Sequence, residues 1–333
     1  MRPPFSITDK MLKLTVEITQ AVTLLELQHQ RDLHLRKENR IRSIHSSLAI
    51  EQNTLSLEQV TAIIAGKRVL GEPKEIREVQ NAYEAYEEVF KKFDPYSIEN
   101  LLAAHRLMTK GLVKESGAFR ERDVGVYDGN GTVVHIGARP QFVYGLVDDL
   151  FKWAKKTDIP ALIKSCVVHF ELEMIHPFLD GNGRMGRLWQ NLLLAKWQPV
   201  FEWIPIETLI YKHQKQYYEL LAVGDHENDS TKFIEFMLEI ILEASLTYSK
   251  HTKQAGLDDR IKRLREVEQK FFAKIYPTLR YSQGITTSKA AELTGKTQST
   301  TRRYLLKLVS LDVLEAVGKN KDRHYVLKDT GKH

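Results

Sequence analysis

Residues 176–187 of the chain read His-Pro-Phe-Leu-Asp-Gly-Asn-Gly-Arg-Met-Gly-Arg. Because a residue before proline is disfavoured in the α-helical region, the apolar helix predicted over roughly 159–175 should end at His176. The two glycines of the segment 180–183 allow a compact turn with exposed backbone N–H groups. A second helix is predicted from Arg184, and a glycine-rich turn that opens a helix can bind anions. The stretch therefore predicts two helices joined by a phosphate-binding turn.

Four side chains in and beside this turn suit chemistry on a polyphosphate. Arg184 and Arg187 are three residues apart, so they are neighbours on one helical face, and guanidinium groups bind phosphate through paired donors. His176 can accept a proton near neutral pH, and Asp180 offers the oxygen ligand that Mg²⁺ prefers. Asp-Gly and Asn-Gly are also ordinary turn dipeptides, so composition alone leaves a plain surface turn open. The full spacing, with eight fixed positions in twelve, favours a phosphate site.

The pattern His-x-Phe-x-Asp-Gly-Asn-Gly-Arg-x-x-Arg resembles the signature of the Fic (Fido-domain) family at all eight positions. The resemblance implies an α-helical enzyme that moves AMP from ATP to a Ser, Thr or Tyr hydroxyl of a target protein. It implies that His176 is the general base, that Asp180 holds Mg²⁺, and that buried Phe178 anchors the loop. The residues that it implies for ATP and its phosphates are Gly181, Asn182, Gly183, Arg184 and Arg187.

A helical run from about 41 to 53 contains Ser47 and Glu51. Alone, these would be interpreted as polar positions on a surface helix. Beside the Fic signature, they resemble the family's inhibitory helix, written Ser/Thr-x-x-x-Glu-Gly/Asn, in the subclass that carries it N-terminal to the core. The resemblance implies that Glu51 pairs with Arg187 and occupies the donors meant for the γ-phosphate. Gln52 departs from this pattern, because Gly or Asn is usual there.

Two β-prone runs, 124–127 and 132–136, flank a glycine-rich turn about 40 residues before His176 and predict a β-hairpin. The hairpin alone could be a surface feature without function. In the resembled family a hairpin at this place is the flap, which holds the target segment by strand addition. The flap residues so implied are Val124, Gly125, Val126, Tyr127, Val133, Val134, His135 and Ile136.

The composition predicts a cytoplasmic protein with more than one domain. The chain has 333 residues, of which 42% are hydrophobic. Its single cysteine, Cys166, excludes a disulfide framework. With no apolar run of about 18 residues and no signal-peptide core, we expect no membrane association. The predicted fold class is all-α, with an N-terminal helical region (1–92), a Fic core with its hairpin (93–250) and a winged helix-turn-helix domain (258–330).

The last quarter of the chain is basic. Residues 256–333 contain 17 Lys+Arg and 9 Asp+Glu, a net charge of +8, whereas the whole chain carries +6. After a predicted domain boundary at 254–259, where hydrophobic periodicity lapses, two short helices and two strands around a basic loop resemble a winged helix-turn-helix domain. Its predicted core comprises Ala290, Leu293, Leu305 and Leu308. The residues suited to DNA are Arg302, Arg303, Lys319, Lys321 and Arg323. Many winged helices serve only in protein docking or dimerisation, so that alternative stays open.

Two further patterns are rejected. The segment 295–297 suggests a Walker A motif, but Ala290 stands where that motif needs glycine. His169, Glu173 and His176 lack the spacing of a zinc site.

The sequence thus predicts an adenylyltransferase autoinhibited by Glu51, with ATP and an unidentified protein as partners. Two alternatives stay open: AMP removal by the same site, and a nucleotide-sensing DNA-binding regulator. Members of the resembled family often pair, so a homodimer is also an expectation.

Overall fold

Helices make up most of the structure, a computed structural model that describes residues 3–28, 33–127, 133–281, 284–318 and 322–328. The mainly α-helical fold class predicted from the sequence is confirmed. The chain divides into two units, Met1–Tyr248 and Ser249–His333. Within the described residues, no helix combines the length and the apolar character that a membrane span needs.

Among its described residues, the first unit contains ten complete α-helices, the first part of an eleventh, a 3₁₀ turn and one β-hairpin. Its elements in chain order are α1 (Asp9–Gln28), α2 (Leu33–Ile50), α3 (Leu57–Ile64), α4 (Pro73–Lys92), α5 (Ile98–Thr109), β1 (Gly125–Tyr127), β2 (Val133–Ile136), α6 (Pro140–Lys156), α7 (Ala161–Ile175), α8 (Asn182–Trp197), a 3₁₀ turn (Pro199–Glu202), α9 (Ile206–Lys212), α10 (Gln214–Glu227) and the start of α11 (Thr231–Lys262). The second unit contains α12 (Glu266–Tyr281), α13 (Thr287–Thr294), α14 (Gln298–Ser310), β3 (Leu314–Val317) and β4 (His324–Leu327).

The helix before the motif, α7, has no polar face because it is buried on both sides. Cys166 and Phe170 belong to a core shared with α1, α9, α10 and α11. Val168 and Leu172 belong to a second core, shared with α2 to α6 and α8. A helix that is apolar all round is expected in an interior position. The C-terminal end of α7 is therefore held in the protein interior by packing on both sides.

The turn between α7 and α8 follows from local sequence. His176 adopts a left-handed conformation with φ of 50° ahead of Pro177, and α7 ends at Ile175 as predicted. Gly181 takes φ of 87°, which suits glycine, and α8 begins at Asn182. The start of α8 lies two residues before the predicted Arg184. The predicted pair of helices joined by a glycine turn is confirmed.

The predicted hairpin is present as the antiparallel pair β1–β2. Gly125 faces Ile136 and Val126 faces His135, whereas Tyr127 faces Val133. The register therefore shifts by one residue, a β-bulge that sharpens the local twist. The hairpin's turn, residues 128–132, lies outside the described residues.

The second unit packs its own core from α12, α13, α14 and the β3–β4 pair. Of the predicted core residues, Ala290, Leu305 and Leu308 are buried. The prediction for Leu293 is wrong, because this side chain is 37% exposed. The inward face of α13 runs through Ala290 and Thr294 instead, one turn apart. The winged-helix class stays a prediction.

The predicted domain boundary at 254–259 lies inside α11, whereas the chain divides into its two units between Tyr248 and Ser249. α11 continues as a helix through this segment to Lys262, and the chain leaves helical geometry only at 263–265. A rise in charge does not break a solvated helix, and a single interior Gly256 costs only about 1 kcal/mol relative to alanine.

A buried polar cluster in the first unit gives a test of the fold. The carboxylate of Glu207 is fully buried and accepts hydrogen bonds from Tyr86 Oη (2.5 Å) and Asn191 Nδ2 (2.6 Å). Tyr86→Phe removes one donor from this carboxylate, so the free energy of unfolding should fall by about 1–3 kcal/mol in urea denaturation. Tyr83→Phe, at a half-buried site on the same helix, is the matched control. Equal losses in both variants would contradict this account.

Candidate active site

The turn after α7 is held by the side chain of Asn182. Its Oδ1 accepts from the Phe178 N–H and its Nδ2 donates to the Phe178 carbonyl, both at 2.8 Å. Asn182 is 5% exposed and Phe178 is 1% exposed. Asn182 is also the first residue of α8, so its backbone N–H has no partner inside the helix. The asparagine thus closes the loop with its side chain and leaves its backbone donor for a ligand.

His105 on α5 packs against the turn through Phe178 and Asp180, a contact that the sequence does not predict. Its ring stacks on Phe178 with centroids 3.7 Å apart. Nδ1 accepts from the Gly117 N–H and Nε2 lies 3.0 Å from the Asp180 carbonyl oxygen, so Nε2 carries the proton. Burial lowers the pKa of His105 to about 4, which keeps the ring neutral. No sequence pattern connects positions 105 and 180.

Arg120 fixes the end of α7, and the sequence reasoning gave it no role. Its guanidinium is 2% exposed and donates to the carbonyl oxygens of His176 (2.7 Å) and Ile175 (3.3 Å). It also donates to the carbonyls of Arg122 (2.7 Å) and Ala138, so one side chain joins three backbone segments. Arg120 therefore ties the base of the hairpin to the histidine.

His176 has the geometry of a general base. Its Nδ1 lies 3.2 Å from the Glu173 carbonyl oxygen, an acceptor, so the neutral ring keeps its proton on Nδ1. Nε2 is then free to accept a proton. Burial lowers the pKa of His176 below its ordinary value, and this favours the neutral form at pH 7.

Arg184 is buried and held by two carboxylates. Its Nη2 donates to Asp180 Oδ1 at 2.9 Å, and its Nη1 lies 3.5 Å from Glu78 Oε1. Glu78 in turn accepts from Asn53 Nδ2 at 2.9 Å. The arginine is thereby fixed beside the turn, next to the residue expected to hold Mg²⁺.

Arg187 is 1% exposed and meets the end of α2. Nε donates to Ser47 Oγ (3.1 Å), and Nη2 donates to the Ser47 carbonyl (2.9 Å) and to Glu51 Oε1 (2.8 Å). Nη1 has no hydrogen-bond partner among the described residues. A Cβ on Gly183 would stand 2.3 Å from Glu51 Oε1 and 3.0 Å from Arg187 Nη1, so a side chain at this position would displace the Glu51 carboxylate. The predicted contact of Glu51 with Arg187 is thus present in the structure, and Ser47 adds two acceptors that the sequence did not predict.

The predicted helix end at position 53 is wrong, since α2 ends at Ile50. The Gln52 N–H bonds the Ala49 carbonyl and the Asn53 N–H bonds the Leu48 carbonyl, the pattern of a Schellman cap. Such a cap needs a left-handed residue, and Gln52 takes it with φ of 68°. This explains why Gly or Asn is usual at this position, because both adopt that conformation more easily.

A cavity of about 740 Å³ opens beside these groups. Its wall combines His176, Gly183 and Arg187 with Glu51, Gln52 and one face of α10. Two α10 residues donate to the carbonyl of Ile50, Gln214 at 3.0 Å and Tyr218 at 3.5 Å. The cavity is therefore lined on one side by the turn and on the other by the end of α2.

The hairpin borders the same cavity through His135. Its Nε2 lies 2.9 Å from the Met174 carbonyl and its Nδ1 lies 2.8 Å from Asp225 Oδ2, so β2 is tied to α7 and α10. Ile136 is 70% exposed, and Val124 and Gly125 are half-buried. The backbone of Val126, Tyr127, Val133 and Val134 lies in the strands, whereas their side chains lie outside the described residues.

The residues predicted for DNA belong to the second unit. Arg302 and Arg303 are exposed on α14, and Arg323 is half-buried over the ring of Tyr325. Lys319 and Lys321 lie outside the described residues.

The position and exposure of Asp180 suit a magnesium ion. Its side chain is 47% exposed, so a carboxylate oxygen is available beside the phosphate-binding turn. The described residues form no cluster of three or more His, Cys, Asp or Glu side chains around a metal position. Mg²⁺ commonly takes one or two carboxylates and completes its shell with phosphates and water, so a single aspartate suffices.

Comparisons with known proteins agree with this geometry. Residues 95–194 match the Fic/DOC family. A solved structure of a Fic family protein from Desulfovibrio desulfuricans G20 is 37% identical over the whole of both chains, with a TM-score of 0.71. The fold of Fic-1 from Caenorhabditis elegans, residues 134–508, is similar at 21% identity, with a TM-score of 0.59 over 74% of this chain and 73% of that one.

The sequence of protein adenylyltransferase fic-1 from Caenorhabditis elegans is 30% identical over 234 residues. The match covers 66% of this chain and 43% of that protein, and protein adenylyltransferase Fic from Nematostella vectensis is 28% identical over 60% of this chain and 47% of its own length. The chain thus spans less than half the length of these relatives. With the motif geometry and the full-length similarity to a solved member, the chain belongs to the Fic family.

Proposed function

We propose that this protein is an adenylyltransferase that transfers AMP from ATP to a hydroxyl group of a target protein, and that Glu51 inhibits it. The observation that carries the proposal is the buried contact of Arg187 with Glu51 (2.8 Å) beside a histidine, a glycine turn and a cavity. The names of two similar proteins, protein adenylyltransferase fic-1 and protein adenylyltransferase Fic, support the same reaction.

In the proposed reaction His176 acts as the general base. Its neutral Nε2 takes the proton of a target Ser, Thr or Tyr hydroxyl while the hydroxyl oxygen attacks the α-phosphorus of ATP. The N–H groups of Gly181, Asn182 and Gly183 receive the negative charge that develops on the phosphate, as an oxyanion hole does. Arg184 holds the β-phosphate. Each of these groups is fixed before ATP binds, which reduces the reorganisation that the reaction requires.

Asp180 would hold Mg²⁺, which would supply positive charge that neutralises the phosphates of ATP. The half-exposed carboxylate already contacts Arg184 at 2.9 Å, so the aspartate orients the arginine as well.

Inhibition follows from competition for Arg187. The γ-phosphate needs the guanidinium donors, and Glu51 accepts one of them while Ser47 accepts two. With Glu51 in place, ATP lacks this anchor, and its triphosphate is held in an orientation unsuited to in-line attack. Withdrawal of the α2 end frees the donors and activates the enzyme.

The target is proposed to bind along the β1–β2 hairpin. An extended segment adds to the hairpin edge by backbone hydrogen bonds, which places its hydroxyl above His176. His135 bonds the Met174 carbonyl at 2.9 Å and Arg120 bonds the His176 carbonyl at 2.7 Å. These hydrogen bonds fix the position of the hairpin edge relative to His176.

AMP removal by the same site is the alternative within the same chemistry, because Glu51 also lines the cavity and could orient a water molecule. A nucleotide-sensing DNA regulator is the alternative from another class, favoured by the +8 charge of residues 256–333. A homodimer and a cytoplasmic location stay expectations.

Glu51→Gly should raise AMP transfer by roughly tenfold or more, because the loss of one charged hydrogen bond of at least about 1.4 kcal/mol frees Arg187. Intact-mass spectrometry after incubation with Mg²⁺ and ATP would detect each added AMP on the protein itself, and labelled ATP would detect transfer to proteins of a lysate. Glu72→Gly is the matched control, because Glu72 caps α4 without a side-chain hydrogen bond.

Adding His176→Ala to Glu51→Gly should abolish transfer with the fold intact, since a general base contributes about 10²–10⁴-fold. Transfer that persists in the double variant would exclude His176 as the base. If neither Glu51→Gly nor wild type modifies any protein, the transfer proposal fails and AMP removal becomes the favoured activity.

DNA binding by the second unit is tested by a gel shift of the full chain with duplex DNA at increasing salt. A basic DNA-binding face should lose affinity steeply as salt rises, and Arg302→Ala with Arg303→Ala should weaken binding further. Lys232→Ala with Lys215→Ala, two exposed cations of the first unit, is the control. No shift at low salt would exclude the regulator that acts through DNA.

A further inference from the structure

Glu173 on α7 is a buried carboxylate that the proposed reaction leaves without a role. Its side chain is 10% exposed and lines the same cavity as His176 and Arg187. Oε1 has no hydrogen-bond partner among the described residues. Isolated buried carboxylates are costly, and such groups are frequent where a site uses their charge.

The surroundings of Glu173 leave room for the carboxylate but give its Oε1 no hydrogen bond among the described residues. A Cβ on Gly186 would stand 2.5 Å from Oε1, so the glycine makes room for the carboxylate. His169 Nε2 lies 3.7 Å from Oε1, beyond hydrogen-bond distance, and faces Tyr217 Oη at 3.0 Å instead. The other ring nitrogen of His169 bonds Gln190 Oε1 at 2.6 Å. Glu173 therefore places a carboxylate at the cavity wall, where its one ion-pair contact among the described residues is with His169 at 3.7 Å.

We propose that Glu173 is a positioning residue for the transfer reaction, and that its carboxylate stabilises His176 in the protonated form that exists once the target hydroxyl has given up its proton. The inference rests on the proposed function of His176 as base. It assigns a role to a residue outside the motif, three positions before the histidine.

The reaction creates the charge that Glu173 would stabilise. The hydroxyl oxygen of the target bonds to the α-phosphorus, the bond from that phosphorus to the bridging oxygen breaks, and pyrophosphate leaves. The hydroxyl proton stays on Nε2 of His176, so a neutral ring becomes a cation in a partly buried site. Burial favours the neutral ring beforehand but opposes this cation, and a nearby carboxylate offsets the second effect.

The charged and titratable groups near His176 come from four segments of the chain: α7, β2, the loop before β1 and the residues after α2. Glu173 lies on the same helix, and its carbonyl oxygen already orients Nδ1 at 3.2 Å. His135 on β2 has its ring centroid 6.1 Å away, and Arg120 bonds the His176 carbonyl. Glu51 shares the cavity and is bonded to Arg187. Burial lowers the pKa of His176, Glu173 raises it, and His135 and Arg120 lower it, so Glu173 is the carboxylate that sustains the basicity of the histidine.

The direct test is an NMR titration of the His176 ring in the full chain, without ATP, using ¹⁵N-labelled histidine and His176→Gln for assignment. Removing the charge in Glu173→Gln should move the His176 titration to lower pH. Glu171→Gln is the matched control, because Glu171 is also poorly exposed on α7 but does not line the cavity. It should leave the titration in place.

The same variants in the Glu51→Gly background give the functional readout. Glu173→Gln should shift the acid limb of the pH–rate profile to lower pH and reduce transfer at pH 7.5 by about tenfold, because a weaker base accepts the proton less well. Glu173→Asp keeps the charge and should retain most of the titration and the rate.

An unchanged His176 titration in Glu173→Gln, with the thermal midpoint preserved, would overturn the inference. If Glu173→Gln does not fold, a Glu173→Asp protein that folds but titrates His176 at lower pH, as an uncharged side chain would, also overturns it. Because the titration needs no transfer activity, failure of the proposed reaction would leave its result interpretable.

Discussion

The buried guanidinium of Arg187 is the constraint on which the site depends. A cation that is 1% exposed must be matched by acceptors, since an unpaired buried charge is strongly destabilising. In this structure Ser47 and Glu51 provide the acceptors, and one N–H₂ group, Nη1, is left without a partner among the described residues. A triphosphate that replaced Glu51 would accept hydrogen bonds from both Nη1 and Nη2 of Arg187. The same requirement therefore explains the inhibited state and the activation that we propose, because Arg187 needs an anion and either source can supply it.

Several contacts hold the end of α2 in place. Gln214 and Tyr218 bond the carbonyl of Ile50, and farther up the helix the buried Arg40 lies 4.6 Å from the ring of Phe90 and donates to Glu202 at 2.9 Å. Gln52 has the opposite effect, because its left-handed conformation costs about 1 kcal/mol more than the same conformation costs for glycine. The departure of this chain from the usual inhibitory pattern thus has a physical consequence. It weakens the cap that follows Glu51 without removing the contact of Glu51 with Arg187.

The sequence was most informative where the geometry is local. Pro177 and Gly181 determine how α7 ends and α8 begins, and the spacing of Arg184 and Arg187 places both beside the turn, so these features were predictable. The contacts of His105 with Asp180 and of Arg120 with the end of α7 join positions 75 and 56 residues apart, and no periodicity reports such pairs. Leu293 is exposed although the sequence predicts it in the core, and α11 continues through 254–259 although the sequence predicts a boundary there. Hydrophobicity and charge do not by themselves show which helical face is covered or where a helix stops.

The central claim is that Glu51 and the γ-phosphate of ATP compete for the same donors of Arg187. Calorimetric titration of ATP and ADP in the presence of Mg²⁺, on wild type and on Glu51→Gln, tests it most directly, because only ATP carries the phosphate in question. The account predicts that removing the carboxylate charge tightens ATP binding by about tenfold more than ADP binding, a difference of about 1.4 kcal/mol. Equal changes in the affinities of the two nucleotides, or no change in either, would contradict it.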